Sequence, residues 1–149
     1  MHVTVMNRAQ AVSYCHKRHD RPAVMISISD PYEERAGRVF CSPQNMLKSI
    51  LRLRFADADR PGPDVYGREA SALDMMQDED AARIADFVRR HQALDLIVHC
   101  DAGVSRSAGV AAAILKHLTG DDSPIFNDPR FRPNMWCYRK TLAALEEEI

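Results

Sequence analysis

Apolar residues in the 149-residue chain follow two periods that alternate along its length. Short apolar runs, continuous or alternating with polar residues, predict β-strands, whereas apolar residues spaced three and four apart predict helices. The predicted strands cover residues 2–6, 23–28, 49–57 and 94–99, and the predicted helices cover 7–16, 78–90, 108–118 and 135–149. Strands that alternate with helices are typical of an α/β layer fold.

In two of the predicted strands, the pattern of apolar residues indicates which faces are buried. The run at 23–28 is apolar throughout and stops at Asp30, which suits a strand covered on both faces. The strand at 49–57 alternates instead, with Leu53 and Phe55 on one face, and it enters a loop at Asp57. That loop is rich in proline and glycine, so it is expected to consist of turns.

Three of the helices carry start or stop signals. Asn7 can cap the first helix, whose apolar side is expected at Val12 and Cys15. Asp78 is expected to cap the second helix. The third is apolar on nearly all of its faces and stops at Gly120, so it is expected to be buried close to the sheet.

The composition is that of an ordinary globular domain. Hydrophobic residues make up 46% of the sequence and charged residues 28%, which excludes a disordered chain. At this length roughly 70% of the unfolded surface can be buried, so residues 1–149 are predicted to form a single domain. No apolar run reaches the ~18 residues of a membrane span, and the first residues lack a secretory signal pattern. A cytoplasmic location is therefore expected.

The overall charge does not indicate a partner. Twenty basic side chains stand against 21 acidic ones, for a net charge of −1. This balance creates no long-range field that would attract nucleic acid or anionic lipid, so neither nucleic acid nor membrane is expected as a partner. Any anion site must therefore be built locally.

The four cysteines, Cys15, Cys41, Cys100 and Cys137, form no Cys-x-x-Cys pair. Because the histidines are scattered as well, a metal site is disfavoured, and no cofactor is expected. Without a secretion signal, all four are expected to be free thiols. For three of them, Cys100 excepted, the simplest interpretation is a small buried apolar residue, and the sequence leaves a redox role open.

Cys100 lies in a segment of different character, His99 to Ser107, between the last predicted strand and the apolar helix. The free N–H groups at a helix N-terminus bind anions, and Gly103 allows successive amides to converge. Arg106 adds a planar set of donors that can contact two phosphoryl oxygens at once. The segment is therefore predicted to bind phosphate.

A cysteine at the base of such a site has a chemical use. The positive field of the helix N-terminus favours the thiolate form of Cys100, and the Ser107 hydroxyl can donate a hydrogen bond to the sulfur. A thiolate placed there can attack phosphorus in line and form a phosphocysteine that water then hydrolyses.

Cysteine followed by arginine six residues later is a weak motif by itself, expected by chance about 0.4 times in this composition. Cys15 and Arg21 have the same spacing, but Pro22 stands where a helix should begin, and no glycine or hydroxyl completes the pattern. Adding the preceding histidine, the glycine at +3 and the serine at +7 lowers the chance expectation to the order of 10⁻⁴. The motif at 99–107 is therefore specific.

The pattern His-Cys-x-x-Gly-x-x-Arg-Ser at 99–107 resembles the signature of the cysteine-dependent protein tyrosine phosphatases, and most of all their compact dual-specificity type. The resemblance implies a central, mostly parallel sheet of four to five strands flanked by helices, and metal-independent hydrolysis of phosphate monoesters. It assigns Cys100 as nucleophile, Ser107 as an aid to breakdown of the phosphoenzyme, and His99 as a brace for the loop. The implied phosphate ligands are Asp101, Ala102, Gly103, Val104, Ser105 and Arg106.

The same resemblance requires an aspartate as general acid. No aspartate follows a strand at the family's usual distance before the cysteine. Asp57 has the right strand parity, two residues after Phe55 and four after Leu53, with an enlarged loop between it and the signature. We therefore predict Asp57 as the acid, with Asp59 as the alternative and Asp64 as the next candidate.

The leading hypothesis is a phosphatase that acts on phosphotyrosine, and on phosphoserine or phosphothreonine, in proteins or peptides. One alternative is a phosphate-binding pseudophosphatase without a working acid. Another is a phosphatase for phosphoinositides or RNA 5′ ends. The phosphoinositide hypothesis is disfavoured because Asp101, Ala102, Val104 and Ser105 occupy the loop positions where such members typically place lysine.

Overall fold

The structure is a computed structural model that describes residues 1–32, 41 and 45–147. Its strands are β1 (Val3–Met6), β2 (Ala23–Ser29), β3 (Leu47–Arg54), β4 (Gly62–Pro63), β5 (Glu69–Ala70) and β6 (Asp95–His99). Its helices are α1 (Arg8–His16), α2 (Asp78–Arg90), α3 (Arg106–Thr119), α4 (Ser123–Phe126) and α5 (Met135–Glu146), and a 3₁₀ turn covers Ala72–Asp74. Each predicted strand and helix is present, with ends shifted by a few residues.

Four of the strands form one parallel sheet in the order β1-β6-β2-β3. The register places Val98 beside Val5 on one side and beside Ile26 on the other, while Ile28 lies beside Leu53. β6 and β2 are the inner strands, which explains their nearly continuous apolar composition. The prediction of a central, mostly parallel sheet flanked by helices is confirmed.

The two faces of the sheet are covered by different helices. Met25 points to the face under α1, where it joins Ala11 and Cys15. Ile26 and Val98 point the other way, into the larger core formed with α2, α3 and α5. Because side chains alternate along a strand, neighbouring residues of β2 enter different cores. β2 is therefore buried on both faces, as predicted.

The apolar helix α3 runs through the larger core. All of its residues from 106 to 114 are buried. It ends at Gly120, which has the left-handed conformation with φ of 78° and thereby closes the helix. The N-terminus of α3 lies two residues earlier than predicted, at Arg106, so the helix fixes the backbone of this residue.

Two expectations for α1 and its surroundings are wrong. The buried residues of α1 are Ala11 and Cys15, whereas Val12 is exposed, because this short helix contacts the sheet along a single i, i+4 line. Cys15 and Cys41 are not free thiols but form a disulfide. Spacing could not show this pair, since Cys41 lies 26 residues after Cys15 and meets it only in the folded chain.

The predicted cap of α2 is also corrected. Asp78 is the first helical residue, and Gln77 is the cap. The Asp80 carboxylate accepts a hydrogen bond from the Gln77 N–H at 2.8 Å, which fixes the start of the helix one residue earlier. Asp78 instead accepts a hydrogen bond from the Lys140 ammonium at 2.6 Å.

The enlarged loop after β3 has more structure than the turns expected of it. It contains the antiparallel hairpin β4–β5, in which Gly62 pairs with Ala70. At the other end of the chain, α5 stops at Glu146, and Glu147 is its extended C-cap, so the predicted helix to Ile149 ends early; residues 148–149 lie outside the described residues. Among the described helices, none is long and apolar enough to cross a membrane.

Candidate active site

The segment from Cys100 to Arg106, here called the signature loop, joins β6 to α3. It lies at the carboxyl end of an inner strand, the edge of an open parallel sheet at which ligands bind. The turn between β1 and α1 supports it from behind, since the Arg8 N–H donates to the Asp101 carbonyl at 3.1 Å. The structure therefore places the loop where the sequence predicted an anion site.

Gly103 allows the signature loop to curl against this support. Its φ is 68°, a conformation that other residues rarely adopt. A Cβ atom at this position would lie 2.6 Å from the backbone nitrogen of Asn7 and 2.8 Å from the carbonyl carbon of Met6. Both the backbone conformation and the lack of space therefore require glycine here.

Cys100 and Ser107 lie side by side at the base of the signature loop. The sulfur of Cys100 is 3.1 Å from the Ser107 hydroxyl oxygen, and both side chains are buried. A hydroxyl at this distance can donate to a thiolate, so the structure brings the predicted nucleophile and the predicted helper together.

Arg106 is fully buried, and its guanidinium is engaged on one side. Nη1 donates to Oδ1 of Asp30 at 2.7 Å and to the carbonyl oxygen of Phe55 at 2.9 Å. Within the part of the chain that the structure describes, Nε and Nη2 are buried and have no hydrogen-bond partner. Burial opposes the charge, but nearby acidic groups, Cys100 first and then Asp30, raise the pKa of Arg106, so it stays cationic.

His99 connects the signature loop to the neighbouring strand. Its Nδ1 lies 3.1 Å from the Cys100 carbonyl oxygen and its Nε2 lies 2.6 Å from the Ser27 hydroxyl. Burial lowers the pKa of His99, and the guanidinium of Arg8 acts in the same direction, against the hydrogen bond to Cys100. A neutral ring must then donate from Nδ1, because a carbonyl only accepts, and accept from Ser27 at Nε2.

Asp57, the predicted acid, is buried against the signature loop. Its Oδ1 accepts hydrogen bonds from the Ser105 hydroxyl at 2.7 Å and from the Asn134 amide at 2.9 Å. Leu53 and Phe55 are buried on the same side of the strand, so the parity argument gave the correct direction. Among the described residues, none donates a hydrogen bond to Oδ2 of Asp57.

The two alternatives to Asp57 lie nearby but differ in environment. Asp59 is exposed at the edge of a pocket beside the loop. Asp64 is buried, and its Oδ1 accepts hydrogen bonds from the backbone N–H groups of Tyr66 and Arg68, each at 2.9 Å. Asp64 thus shapes the hairpin, whereas Asp57 contacts the signature loop directly.

The β4–β5 hairpin is attached to the site at two points. The Tyr66 hydroxyl donates to Oδ2 of Asp101 at 3.3 Å. Nη1 of Arg68 donates to Oδ2 of Asp30 at 3.3 Å, so Asp30 is shared with the loop arginine. The guanidinium of Arg68 also lies 5.7 Å from the ring centre of Tyr32 and 5.8 Å from that of Tyr66.

Asn134 connects the start of α5 to the signature loop. Its side-chain oxygen accepts from the Cys137 N–H at 3.0 Å and caps the helix, and its own N–H donates to the Ser105 carbonyl at 3.0 Å. A Cβ atom at Gly109 would clash with the Asn134 carbonyl. Because glycine has no Cβ, α3 and the start of α5 can approach closely enough for Asn134 to donate to Asp57.

A pocket of 540 Å³ opens between the hairpin, the signature loop and the segment before α5. The apolar residues that line it are Ala58, Pro63, Val65, Tyr66, Ala102, Val104, Pro133 and Met135, and the polar ones are Asp57, Asp59, Asp64, Ser105, Arg132 and Asn134. No group of three His, Cys, Asp or Glu side chains that could hold a metal ion is found in the described ranges.

Sequence reasoning missed the functional contacts of Asp30, Tyr66, Arg68 and Asn134. A signal existed for Asp30, because it follows directly on a buried parallel strand, and the carboxyl ends of such strands meet at one edge. The hairpin residues carried no comparable signal, since their contacts depend on how the enlarged loop folds back over the sheet.

No family profile and no curated protein matches the sequence, whereas 28 chains of solved structures match the fold. The fold is similar to that of solved structures that include DUSP28, PTPMT1 and a tyrosine phosphatase-like protein. The fold and the Cys-to-Arg loop that it presents therefore agree with the resemblance seen in the sequence.

Three particular structures illustrate this similarity. Human DUSP28 has a TM-score of 0.58 at 14% identity, over 97% of this chain and 88% of that one. PTPMT1 in complex with PI(5)P has a TM-score of 0.57 at 16% identity, over 97% and 90%. The human tyrosine phosphatase-like serine/threonine/tyrosine-interacting protein has a TM-score of 0.53 at 18% identity, over 82% and 75%.

Proposed function

We propose that the protein hydrolyses phosphate monoesters in two steps through a phosphocysteine at Cys100. Its substrates are phosphorylated proteins or peptides that carry phosphotyrosine, with phosphoserine and phosphothreonine as further substrates. The proposal rests on the chemistry of the signature loop, and the shared fold with dual-specificity and tyrosine phosphatases supports it.

One observation carries the proposal: Arg106, whose pKa is raised by the nearby Cys100, holds two unpartnered guanidinium donors at the end of the signature loop. Leaving buried donors without partners costs about 1–3 kcal/mol per group, so such a state needs an occupant to explain it. Nε and Nη2 of Arg106 form the planar pair that matches two oxygens of a phosphoryl group. Asp30 fixes Nη1 and thereby the orientation of the other two donors.

In the first step the Cys100 thiolate attacks phosphorus in line. The S–P bond forms as the bond between phosphorus and the ester oxygen breaks, and the leaving oxygen takes a proton from the Asp57 carboxylic acid. Arg106 and the loop amides bind the equatorial oxygens, whose charge they stabilise through the transition state.

In the second step water hydrolyses the phosphocysteine. Asp57, now a carboxylate, accepts a proton from the water as its oxygen bonds to phosphorus. The S–P bond breaks, and the thiolate departs with the Ser107 hydroxyl, 3.1 Å away, donating a hydrogen bond to it. Inorganic phosphate leaves and the starting enzyme is restored.

The two alternative functions make different demands on the site. A pseudophosphatase would bind phosphate without turnover, and one structural neighbour is described as phosphatase-like. Another neighbour binds a phosphoinositide, PI(5)P. The signature loop contains the proposed nucleophile, Cys100, and Asp57 contacts the loop through Ser105, so these residues favour an active phosphatase. No lysine lies between residues 100 and 106, which favours peptides over phosphoinositides.

Turnover of an aryl phosphate without added metal tests the proposal. Wild type should release phosphate, and Cys100→Ser should not, while still binding vanadate or phosphate. Cys137→Ala is the matched control, because burial raises the pKa of that thiol well above its usual range and keeps it unreactive. Binding of phosphate without turnover by wild type would contradict the proposal and favour the pseudophosphatase.

A second comparison tests which arginine binds the phosphate. Arg106→Lys should lower both turnover and vanadate affinity by orders of magnitude, since an ammonium cannot make the bidentate contact. Arg21→Lys should leave both unchanged, because Arg21 lies on the surface and pairs with Asp95. A larger loss for Arg21→Lys than for Arg106→Lys would show that phosphate binds at the segment 15–21 instead of at 99–107.

A further inference from the structure

The pocket beside the signature loop carries an unusual balance of charge for a protein expected to bind phosphate esters. Two carboxylates border it, those of Asp59 and Asp64, together with Asp57, the proposed acid, which is protonated when substrate binds. Among the described residues, Arg132 is the only cationic side chain that does so. Ala102, Val104 and Ser105 form one of its walls, so the pocket adjoins the signature loop.

Two neighbouring cations, Arg8 and Arg68, do not change this balance, because acidic partners already engage them. Arg8 lies 3.6 Å from the Asp101 carboxylate, and Arg68 lies 3.3 Å from the Asp30 carboxylate. A second phosphate or a carboxylate entering the pocket would therefore meet a surplus of negative charge.

Asp64 adds a second, independent observation. Its Oδ1 is satisfied by two backbone N–H groups of the hairpin. Its Oδ2 is buried and has no hydrogen-bond partner within the described residues. A buried carboxylate oxygen without a partner is unfavourable, so a donor supplied by a ligand would be bound there with a gain in free energy.

The remaining walls of the pocket are apolar, and they include Pro63, Val65, Tyr66 and Met135. Such walls suit an aromatic ring or the aliphatic stem of a long side chain. Lysine and arginine combine an aliphatic stem with a donating cationic end, which matches apolar walls that lead to carboxylates.

We propose that this pocket is a subsite for basic residues next to the phosphorylated residue, so that the preferred substrates are phosphopeptides with lysine or arginine beside the phosphotyrosine. The inference rests on the proposed phosphatase function for its site, but it concerns which substrates bind. Acidic phosphopeptides and anionic lipid headgroups are selected against.

Binding to the Cys100→Ser variant tests the inference separately from catalysis. Two phosphotyrosine peptides of equal length are compared, one flanked by arginines and the other by glutamates. The basic peptide should bind about 10-fold more tightly, the effect expected from a few partly exposed ion pairs. Because salt screens such pairs, the ratio of affinities should shrink as the Debye length falls from about 10 Å at 0.1 M salt to about 3 Å at 1 M.

Charge-removing variants locate the effect. Asp64→Asn keeps the oxygen that accepts from the hairpin backbone, and both it and Asp59→Asn should lower the basic-to-acidic ratio about threefold each. Arg132→Gln should raise the ratio. Asp86→Asn removes the same charge from the exposed side of α2, outside the pocket, and should leave the ratio unchanged. Both peptides release the same tyrosine leaving group. The ratio of their kcat/KM values with wild type therefore does not depend on which aspartate is the general acid.

The outcomes separate the two proposals. Charge-dependent binding without any turnover by wild type would overturn the phosphatase function and keep the subsite. Equal affinity for both peptides, or equal effects of Asp64→Asn and Asp86→Asn, would overturn the subsite even if turnover is fast. Faster hydrolysis of a monophosphorylated inositol lipid in vesicles than of the basic peptide would also overturn it.

Discussion

Asp30 at the end of β2 and Arg106 at the start of α3 form a buried ion pair of 2.7 Å, with side chains 4% and 0% exposed. Asp30 uses its other oxygen for Arg68 on the hairpin, so one carboxylate connects the loop arginine to the wall of the site. Since a buried charge without a partner is costly, each group of this pair depends on the other. Asp30, which lies outside the signature loop, therefore positions the arginine that is predicted to bind phosphate.

Asp30→Asn should weaken phosphate binding and catalysis together. The amide still fills the space, but it no longer fixes the guanidinium by charge, and a misplacement of about 1 Å can cost about 10²-fold in rate. Vanadate affinity and kcat/KM should fall in parallel, measured under conditions where circular dichroism shows both proteins folded. A loss of stability with unchanged vanadate affinity would contradict a positioning role.

Arg68→Gln is the control for that substitution. It removes the second contact of Asp30 from a side chain that is 51% exposed, and exposed ion pairs contribute about 1 kcal/mol or less. Vanadate affinity should therefore change less than about fivefold. An effect as large as that of Asp30→Asn would mean that the hairpin, and not the carboxylate, orients Arg106.

The pair also shows how far sequence reasoning reaches. Cys100, Arg106 and Ser107 are close in the chain, so a loop that opens a helix has to bring them together, and their juxtaposition was predictable. Asp30 lies 76 residues from Arg106, and only the order of strands in the sheet makes them neighbours. Strand order is a tertiary property that apolar periodicity does not contain.

Asp57 and the Cys15–Cys41 disulfide show the same limit of sequence-based prediction. Asp57 could be placed because a strand period of two carries the direction of one side chain over a few residues. The Cys15–Cys41 disulfide could not, because it joins residues 26 positions apart that meet only in the folded chain. Local geometry was thus predictable for the site, and long-range contacts were not.

Gly103→Ala should destabilise the protein and abolish phosphate binding. The left-handed conformation costs a non-glycine residue about 1–2 kcal/mol, and the added Cβ would also lie 2.6 Å from the Asn7 nitrogen. Urea denaturation and vanadate titration measure the two effects.

Gly120→Ala separates strain from crowding. Gly120 has a similar φ, 78°, but apart from its chain neighbours no atom of the described residues lies within 4 Å of its hypothetical Cβ. Its substitution should cost only about 1–2 kcal/mol and leave vanadate affinity unchanged. Equal losses of stability at the two positions would show that the contact with the β1–α1 turn is unimportant.

His99 should make folding stability depend on pH. Because its pKa in the folded protein lies below the usual 6.5, the unfolded chain binds more protons in the window just below that value. The contribution of neutral His99 is therefore fully present above about pH 6.5 and is lost as the pH falls toward the folded-state pKa. Denaturant midpoints of wild type should fall more steeply than those of His99→Asn between about pH 7.5 and about pH 5.5. Parallel slopes would contradict a buried neutral imidazole.

Asp57→Asn should remove the high-pH limb of the kcat/KM profile. A thiolate nucleophile and a protonated acid together give a bell-shaped profile, and the asparagine keeps an oxygen that can accept from Ser105 and Asn134 while losing the proton. An aryl phosphate with a poor leaving group should lose about 10²–10⁴-fold in rate, and one whose phenoxide departs unaided should lose less. Vanadate affinity should persist, because the anion site is predicted to consist of residues 100–107.

Asp59→Asn provides the comparison that decides which carboxylate is the acid. Asp59 is exposed at the pocket edge and makes none of the contacts with the signature loop that hold Asp57, so its variant should keep the full bell. If Asp59→Asn loses the high-pH limb while Asp57→Asn keeps it, proton transfer comes from the pocket edge and the strand-parity argument points two residues too early. If neither variant changes the profile, Asp64→Asn is measured next, and a bell that survives all three substitutions would show that no carboxylate of this loop protonates the leaving group.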